Sequence, residues 1–251
     1  MIRPRFAAAI SAAFLCSSIL IPRAMGFFEA FSQLTKEIEA MEQSTPDSLD
    51  DLLKELEGVS GAGFGDVHEA DWFYRYVSPV ARWGIVSGYK DAGGKPTGVF
   101  GPANTVTVAE MLKMALKAAQ VDETSCKGTT GLEQAENHWA RSFVVCARER
   151  EMRILRPDPD LNRAATRAQV LSIIFDAFDD TVPPLFSAFK DSANHPLESD
   201  IAYAAALRMV SGDKDAGGTP TGTFRPDASV NRAEAAKIIY ERLRVEVMGE
   251  G

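Results

Sequence analysis

A near-duplicate segment, repeated after 124 residues, limits the folds open to this 251-residue chain. Residues 86–102 read VSGYKDAGGKPTGVFGP, and residues 210–226 read VSGDKDAGGTPTGTFRP. The two segments differ only at the pairs Tyr89/Asp213, Lys95/Thr219, Val99/Thr223 and Gly101/Arg225. Identity of this density in a polar, glycine-rich segment marks an internal repeat, so the fold must contain at least two copies of one unit.

A helix-start signal recurs three times and fixes the register of the units. In each signal a cap side chain accepts a hydrogen bond from the N3 amide, and the N3 side chain bonds back, an arrangement that stabilises a helix by about 1 kcal/mol. The pairs are Thr107 with Glu110, Thr166 with Gln169, and Asn231 with Glu234. The middle signal lies between the two long loops, so we predict a mainly α fold of three tandem helix–loop–helix units.

The three predicted units cover residues 64–120, 121–180 and 185–246. The second unit is the most divergent, because its glycine-rich loop is reduced to residues 156–162. In the first unit we expect Asp71 to cap a helix that includes Trp72 and Trp83. In the third unit we expect the first helix over residues 197–209.

Residues 1–26 have the pattern of a secretory signal peptide. Arg3 and Arg5 precede an apolar stretch over residues 6–21, and Ala24-Met25-Gly26 offers small residues for cleavage. The stretch is short for a membrane span, so no span is expected after signal removal. Removal takes away three arginines and no acid, which changes the net charge from −8 to −11. A protein this acidic is not expected to bind nucleic acid.

Residues 27–63 are predicted to form an acidic helical segment that ends in a glycine-rich joint. Apolar residues from Phe27 to Met41 follow steps of three and four, which predicts a narrow apolar face on a helix. Pro46 interrupts the pattern before a second short helix, giving a helical hairpin. This hairpin packs against the body of the same molecule or serves as a short oligomerisation segment.

Cys126 and Cys146 are the two cysteines that remain after signal removal. An even pair in an exported protein favours a disulfide, which would contribute on the order of 3 kcal/mol by closing a loop of about twenty residues. The alternative is two separate buried thiols.

Catalytic and metal-binding motifs are not found in the sequence. His68, His138 and His195 do not form an HExxH pattern, and no GxSxG or P-loop motif occurs. The acidic loop that begins at Asp213 lacks oxygen ligands at positions 5 and 12 of a calcium-binding loop. We therefore expect no metal, no cofactor and no enzymatic activity.

Arg167 and Arg232 occupy the first position of the second and third capped helices. The helix macrodipole disfavours a cation there by a few tenths of a kcal/mol, so a requirement of helix formation does not explain them. Two explanations remain open. Either each arginine binds an anion beside the helix amino terminus, or each pairs with a carboxylate of a neighbouring unit.

The order of these motifs resembles that of S-layer homology domains in three consecutive copies. The shared features are the Phe-x-Asp lead-in at Asp66 and Asp191, the tryptophan-bearing helix, the Gly-x-Phe-x-Pro loop and the Thr-Arg-Ala-Glu-like helix start. The resemblance implies a pseudo-threefold helical bundle that attaches exported proteins to anionic, often pyruvylated, cell-wall polysaccharide or another peptidoglycan-linked polymer. It also implies that ligand grooves lie between adjacent copies.

The resemblance assigns ligand-binding roles to residues at matching positions, namely Arg167, Arg232, Trp72, Trp139, Gly98 and Gly222. Core packing explains the two tryptophans better than sugar stacking does. Asp66 and Asp191 are expected to act as local caps or turns. Val108 replaces the arginine in the first copy, and seven arginines against four acids make residues 141–167 basic. We therefore expect the working groove in the second and third copies.

The expected location is the cell envelope or cell surface. The alternative function is structural, in which the units assemble a surface layer through contacts with copies of this chain or other surface proteins. We expect no appended effector domain, so the expected cargo is the chain itself, its amino-terminal hairpin or an unknown partner. Replacing both Arg167 and Arg232 by Ala is expected to abolish glycan binding without changing the circular dichroism spectrum.

Overall fold

The computed structural model describes residues 63–249, and the predicted signal peptide and nearly all of the acidic segment lie outside this range. Six α-helices occur within the described residues. They are α1 (Tyr74–Arg82), α2 (Val108–Ala118), α3 (Arg141–Glu149), α4 (Arg167–Ala177), α5 (Glu198–Ala206) and α6 (Arg232–Gly249). Two short 3₁₀ turns, Glu133–Ala135 and Arg153–Leu155, complete the elements. The mainly α prediction is confirmed.

The helices pair across the units in a cyclic order. Helices α2, α4 and α6, the second helices of their units, contact one another at the centre. Each first helix packs on the second helix of another unit, with α1 on α6, α3 on α2 and α5 on α4. Every unit therefore completes the core of its neighbour.

A closed ring of backbone hydrogen bonds marks the pseudo-threefold axis. The amide of Val106 donates to the carbonyl of Val230 at 2.9 Å, Val230 donates to Ala165 at 3.2 Å, and Ala165 donates to Val106 at 2.9 Å. All three residues are fully buried and immediately precede the capped helices. The ring places the three helix starts side by side.

The three predicted caps are present at these helix starts. The Thr107 hydroxyl accepts the Glu110 amide at 3.2 Å, and Glu110 bonds back to the Thr107 amide at 2.9 Å. The same exchange links Thr166 to Gln169 and Asn231 to Glu234. These residues therefore start and stabilise the helices, as their spacing predicts.

The sequence suggested that Asp66 and Asp191 act as local caps or turns, but the structure shows that they do not. The Asp66 carboxylate accepts the amides of Phe100 and Gly101 at 2.8 and 2.7 Å. Asp191 accepts the amides of Phe224 and Arg225 in the same way, at 2.9 and 2.8 Å. Each aspartate thus ties the start of its unit to the far end of the long loop, more than 30 residues later.

The predicted disulfide joins Cys126, in the connection after α2, to Cys146 in α3. The two Cα atoms are 5.3 Å apart. Both cysteines belong to the second unit, so the bridge holds the connection that follows α2 against α3.

Both groove tryptophans are on the surface, so the prediction that they pack in the core was wrong. Trp72 is 54% exposed and Trp139 is 57% exposed. Trp72 precedes α1, whose amino-terminal cap is Phe73 without a side-chain hydrogen bond, and Asp71 instead accepts the amide of His68. The third unit's first helix is also shorter than predicted, with its last residue at Ala206.

Candidate functional site: two grooves between units

Two surface grooves are built from corresponding residues of different units. The Arg232 groove encloses about 540 Å³ and takes its loop from the first unit, Arg232 from the third and Trp139 from the second. The Arg167 groove encloses about 220 Å³ and takes its loop from the third unit, Arg167 from the second and Trp72 from the first. The structure therefore brings together all four predicted arginines and tryptophans, one of each in each groove.

Hydrogen bonds and ring contacts fix the guanidinium of Arg232 in the protein. Its Nε donates to the Phe100 carbonyl at 2.9 Å, Nη1 to Glu110 at 3.1 Å and Nη2 to the Ser87 carbonyl at 2.8 Å. The guanidinium lies between the rings of Tyr89 and Phe100, 4.8 Å from each centroid. Only 6% of its side chain is exposed. Arg232 thus forms the floor of its groove and is part of the fold.

Arg167 has a similar position but fewer partners. Its Nε donates to the Phe224 carbonyl at 2.9 Å, and its guanidinium stacks on the Phe224 ring at 4.8 Å. Nη1 is 3.7 Å from Glu234, beyond hydrogen-bond distance. Burial lowers the pKa of Arg167, and attraction to Glu234 and Asp213 offsets only part of this effect. Arg167 therefore retains hydrogen-bonding capacity.

The first amides of the capped helices are not available to an anion. The amides of Val108, Arg167 and Arg232 donate to the carbonyls of Arg163, Ala228 and Asn104 at 2.9–3.0 Å. The next amide of each helix also donates to a carbonyl of the neighbouring unit. Anion binding in the grooves would therefore have to come from side chains. Each arginine faces a carboxylate of the neighbouring unit, as the second explanation expects.

Two lysines in each groove add positive charge that the sequence analysis did not identify. Lys90 and Lys113 line the Arg232 groove, and Lys214 and Lys237 occupy the corresponding positions in the Arg167 groove. Lys113 Nζ bonds the Ser87 hydroxyl at 3.3 Å. Burial lowers the pKa of Lys113, and the nearby cations Lys90 and Arg232 lower it further. An anion in the groove would relieve this repulsion.

The lysines could have been found in the sequence from the duplication itself. Lys90 and Lys214 are identical within the repeated loops, and Lys113 and Lys237 both follow their helix caps by six residues. Counting all charged lining residues, each groove carries an excess of two positive charges. This local charge opposes the net charge of −8 on the whole chain.

The third corresponding position lacks the arginine and the tryptophan of the two grooves. Val108, at the arginine position, is fully buried, and Pro196 stands where the other units have tryptophan. The carbonyl of Pro159 corresponds to those of Phe100 and Phe224, and here it accepts Gln134 Nε2 at 2.6 Å instead of an arginine. Gln134 is therefore the lead-in residue of the second unit, two residues after the buried Leu132, which the sequence analysis did not find.

Most arginines in the basic stretch over residues 141–167 form ion pairs or hydrogen bonds within the fold. Arg153 bonds both Asp176 and Asp200, with a shortest distance of 2.7 Å to the buried Asp200. Other pairs are Arg141 with Glu136, Arg150 with Asp179, and Arg148 with the Thr130 carbonyl. Arg153 joins the second unit to the third through Asp200, whereas the other contacts lie within the second unit. Each groove draws on all three units.

Gly98 and Gly222 lie away from the groove walls. Both have positive φ, 74° and 72°, and their carbonyls accept the amides of Gly65 and Lys190. These features shape the loops before Phe100 and Phe224. Between Gly63 and Gly249, no group of three or more metal-ligating side chains is clustered, and no helix combines the length and apolarity needed to span a membrane.

A known protein family matches the two units that carry the long glycine-rich loop. The sequence model of the S-layer homology domain fits residues 63–112 and 188–236. These two segments are S-layer homology domains. The middle unit lies outside both matches, and it shares with the matched units the backbone ring and a capped helix. Chains with such domains associate with the cell surface through non-catalytic anchoring modules.

Two relatives with S-layer homology domains come from Acetivibrio thermocellus. A cellulosome-anchoring protein is 26% identical over 162 residues, covering 60% of this chain and 34% of that protein. The exoglucanase XynX is 24% identical over 193 residues, covering 70% of this chain and 16% of that protein. The chain therefore matches about a third of the first relative and about a sixth of the second.

Proposed function

We propose that this protein is an exported, non-catalytic anchoring module that binds an anionic cell-wall polysaccharide in the Arg232 and Arg167 grooves. The observation that carries the proposal is the repeated construction of the grooves. Each combines an arginine with at most 12% of its side chain exposed, an exposed tryptophan from another unit and two lysines. A glycan that bears carboxylates, such as pyruvate ketals, matches this combination of charge and aromatic surface.

The tryptophans supply the apolar part of the site. An exposed indole at a groove edge offers a flat surface for the C–H face of a sugar ring, and its N–H can bond a hydroxyl. Trp72 and Trp139 are each more than half exposed, although large apolar side chains usually contribute most to stability when buried. A binding role accounts for this exposure.

The lysines supply unpaired charge, whereas the arginines organise the grooves. Lys113 and Lys237 lie on the second turns of α2 and α6, on rigid elements of the fold. Among the described residues neither lysine forms an ion pair, so a ligand carboxylate would be a new partner for each. The third position lacks arginine, tryptophan and lysine, since Ser172 corresponds to Lys113, so we infer two binding grooves.

Co-sedimentation with purified cell envelopes tests this function. The protein should sediment with intact envelopes and remain in solution when the wall polysaccharide has been stripped from the peptidoglycan. The double variant Lys113→Ala with Lys237→Ala should bind at least ten-fold more weakly at unchanged thermal stability. Lys95→Thr, at the exposed tip of the loop and outside the groove lining, is the matched control and should bind normally.

Two results would contradict the proposal. Equal sedimentation with intact and stripped envelopes would show that the polysaccharide is not the ligand. Self-association at the same protein concentration without any wall material would favour the alternative, a structural protein of a surface layer.

A further inference from the structure

The two grooves differ at two of the four positions that distinguish the repeated loops, and those two positions touch each other. In the Arg232 groove Tyr89 lies over Gly101, where an added Cβ would come within 2.6 Å of the Tyr89 ring. In the Arg167 groove the corresponding residues, Asp213 and Arg225, form a double hydrogen bond with both distances at 2.7 Å. The loops have therefore exchanged a ring packed on glycine for an ion pair.

This exchange changes how much of each groove arginine is free to contact a ligand. Tyr89 covers the second face of Arg232, whose three nitrogens all donate to the protein. In the other groove Asp213 stands where that ring would be, and it is already engaged by Arg225. Arg167 is therefore stacked on one face only, by Phe224.

The free donors of Arg167 are the two terminal nitrogens of the guanidinium. No acceptor within the described residues lies at hydrogen-bond distance from Nη1 or Nη2, and both atoms reach solvent. The corresponding Nη2 of Arg232 is used up by the Ser87 carbonyl. Two parallel N–H groups of one guanidinium match the two oxygens of a carboxylate.

We propose that the two grooves have different specificities, and that the Arg167 groove binds the carboxylate of the glycan because the Arg167 fork is free and the Asp213–Arg225 pair leaves the face of its guanidinium uncovered. The Arg232 groove then takes a sugar of the same polymer mainly through Trp139 and hydroxyl contacts. This inference rests on the proposed function. It adds the residue pair that sets specificity, and it assigns the acidic part of the ligand to one groove.

Each groove contains one tryptophan, so the two can be followed separately. The chain has three tryptophans, and Trp72 and Trp139 report on the Arg167 and Arg232 grooves. We would titrate ¹⁵N-labelled protein with the pyruvate ketal of methyl mannoside and follow the indole N–H signals, assigned with Trp72→Phe and Trp139→Phe. The methyl ester of the same ketal serves as the uncharged probe.

We expect the Trp72 signal to respond at a ketal concentration at least ten-fold lower than the Trp139 signal. The methyl ester should lose this advantage. The double variant Asp213→Tyr with Arg225→Gly, which copies the first unit, should weaken the Trp72 response about ten-fold. Thr219→Lys is the matched control, because it also copies a first-unit residue but lies outside the groove lining, and it should leave the response unchanged.

A reciprocal variant keeps the test informative if the first one folds poorly. Replacing Tyr89 by Asp, Gly101 by Arg and Asn104 by Ala transfers the third unit's residues into the Arg232 groove. The Asn104 change removes the second group that an added Cβ at position 101 would meet, at 2.7 Å. Because Glu110 and the Ser87 carbonyl still accept from Arg232, this variant uncovers only one face of its guanidinium, and the gain in ketal affinity at Trp139 should be smaller than the loss at Trp72.

The outcomes separate this inference from the proposed function. Equal affinities at the two indoles, or no response of Trp72 to the ketal, would overturn the inference while envelope binding persists. An unchanged Trp72 affinity in the folded Asp213→Tyr, Arg225→Gly variant would overturn it as well. Loss of polysaccharide-dependent envelope binding by the wild-type protein would overturn the proposed function itself.

Discussion

Arg232 contacts Phe100 twice, across 132 positions of sequence. Its Nε donates to the Phe100 carbonyl at 2.9 Å, and its guanidinium lies 4.8 Å from the centre of the Phe100 ring. The contact joins the start of α6 in the third unit to the loop of the first. The same side chain that forms the groove floor therefore also closes the ring of units.

We predict that Arg232→Ala lowers stability as well as binding. The change leaves Glu110 and the carbonyls of Phe100 and Ser87 without their hydrogen-bond donor. Breaking a buried pair of this kind costs about 3–5 kcal/mol. At roughly 2–4 °C per kcal/mol for a domain of this size, the melting temperature should fall by about 10 °C. Thermal unfolding followed by circular dichroism measures the effect.

Arg225→Ala is the matched control for Arg232→Ala. Arg225 also pairs with a carboxylate in a groove, but its side chain is 59% exposed, so its loss should cost less than about 1 kcal/mol. Similar melting temperatures for the two variants would contradict the structural role of Arg232. The expectation that the Arg167, Arg232 double variant keeps its fold therefore does not follow from the structure.

Val108→Arg should destabilise the protein instead of creating a third binding site. Val108 is fully buried, and the carbonyl that an arginine there would bind is already bonded by Gln134. Placing a charge at this position without a partner should cost several kcal/mol. Urea unfolding measures the loss, and Val108→Leu, which keeps the site apolar, provides the comparison. A normally stable Val108→Arg variant with tighter envelope binding would contradict the two-groove proposal.

Trp72→Ala and Trp139→Ala should weaken glycan binding while changing the free energy of unfolding by less than about 0.5 kcal/mol. Both side chains are more than half exposed and contact only rings beside them on the surface of the fold, and surface substitutions usually have small effects on stability. Chemical unfolding and envelope co-sedimentation test the two statements separately. A large loss of stability would show that the two indoles stabilise the fold and would contradict a role confined to binding.

The sequence predicted the architecture because local signals dominate it. The caps at Thr107, Thr166 and Asn231 depend on residues three positions apart, and they were placed correctly from spacing alone. The duplication supplied the register, and the even pair of cysteines supplied the disulfide. Each of these signals can be identified from a short stretch of sequence or from the spacing between the repeated segments.

What the sequence could not supply was the pairing between units. Val108 in the first copy and the shortened loop at residues 156–162 in the second were interpreted as separate departures, and Pro196 in the third copy was not identified. The cyclic arrangement brings all three positions to one junction, where Gln134 replaces the missing arginine contact. Only the order of units around the axis shows that two grooves are complete and one is lost.

The same reason explains the error about the tryptophans. An aromatic residue at the start of an apolar helix is usually buried, and the one-dimensional pattern does not reveal which neighbour it faces. Trp72 lies beside the third unit's loop and Trp139 beside the first unit's loop. Their exposure follows from the groove between units, which no single unit contains.

Asp191 should make stability depend on pH in the acidic range. Burial acts to raise the pKa of its carboxyl, but hydrogen bonds from the amides of Arg225 and Phe224 outweigh burial and hold the pKa below the ordinary value of 3.8. A carboxyl with a lowered pKa in the folded state stabilises the protein above its unfolded pKa. That contribution is lost as the pH falls through the folded value, below about 4.

We therefore expect Asp191→Asn to be less stable than the wild type at pH 7, because an amide accepts the two backbone N–H groups less well than a carboxylate. The difference in free energy of unfolding should shrink as the pH falls below about 4, since the wild-type carboxylate then becomes protonated. Urea unfolding of both proteins between pH 7 and pH 2.5 measures it. A difference that stays constant or grows with acidification would show that the Asp191 charge does not hold the loop.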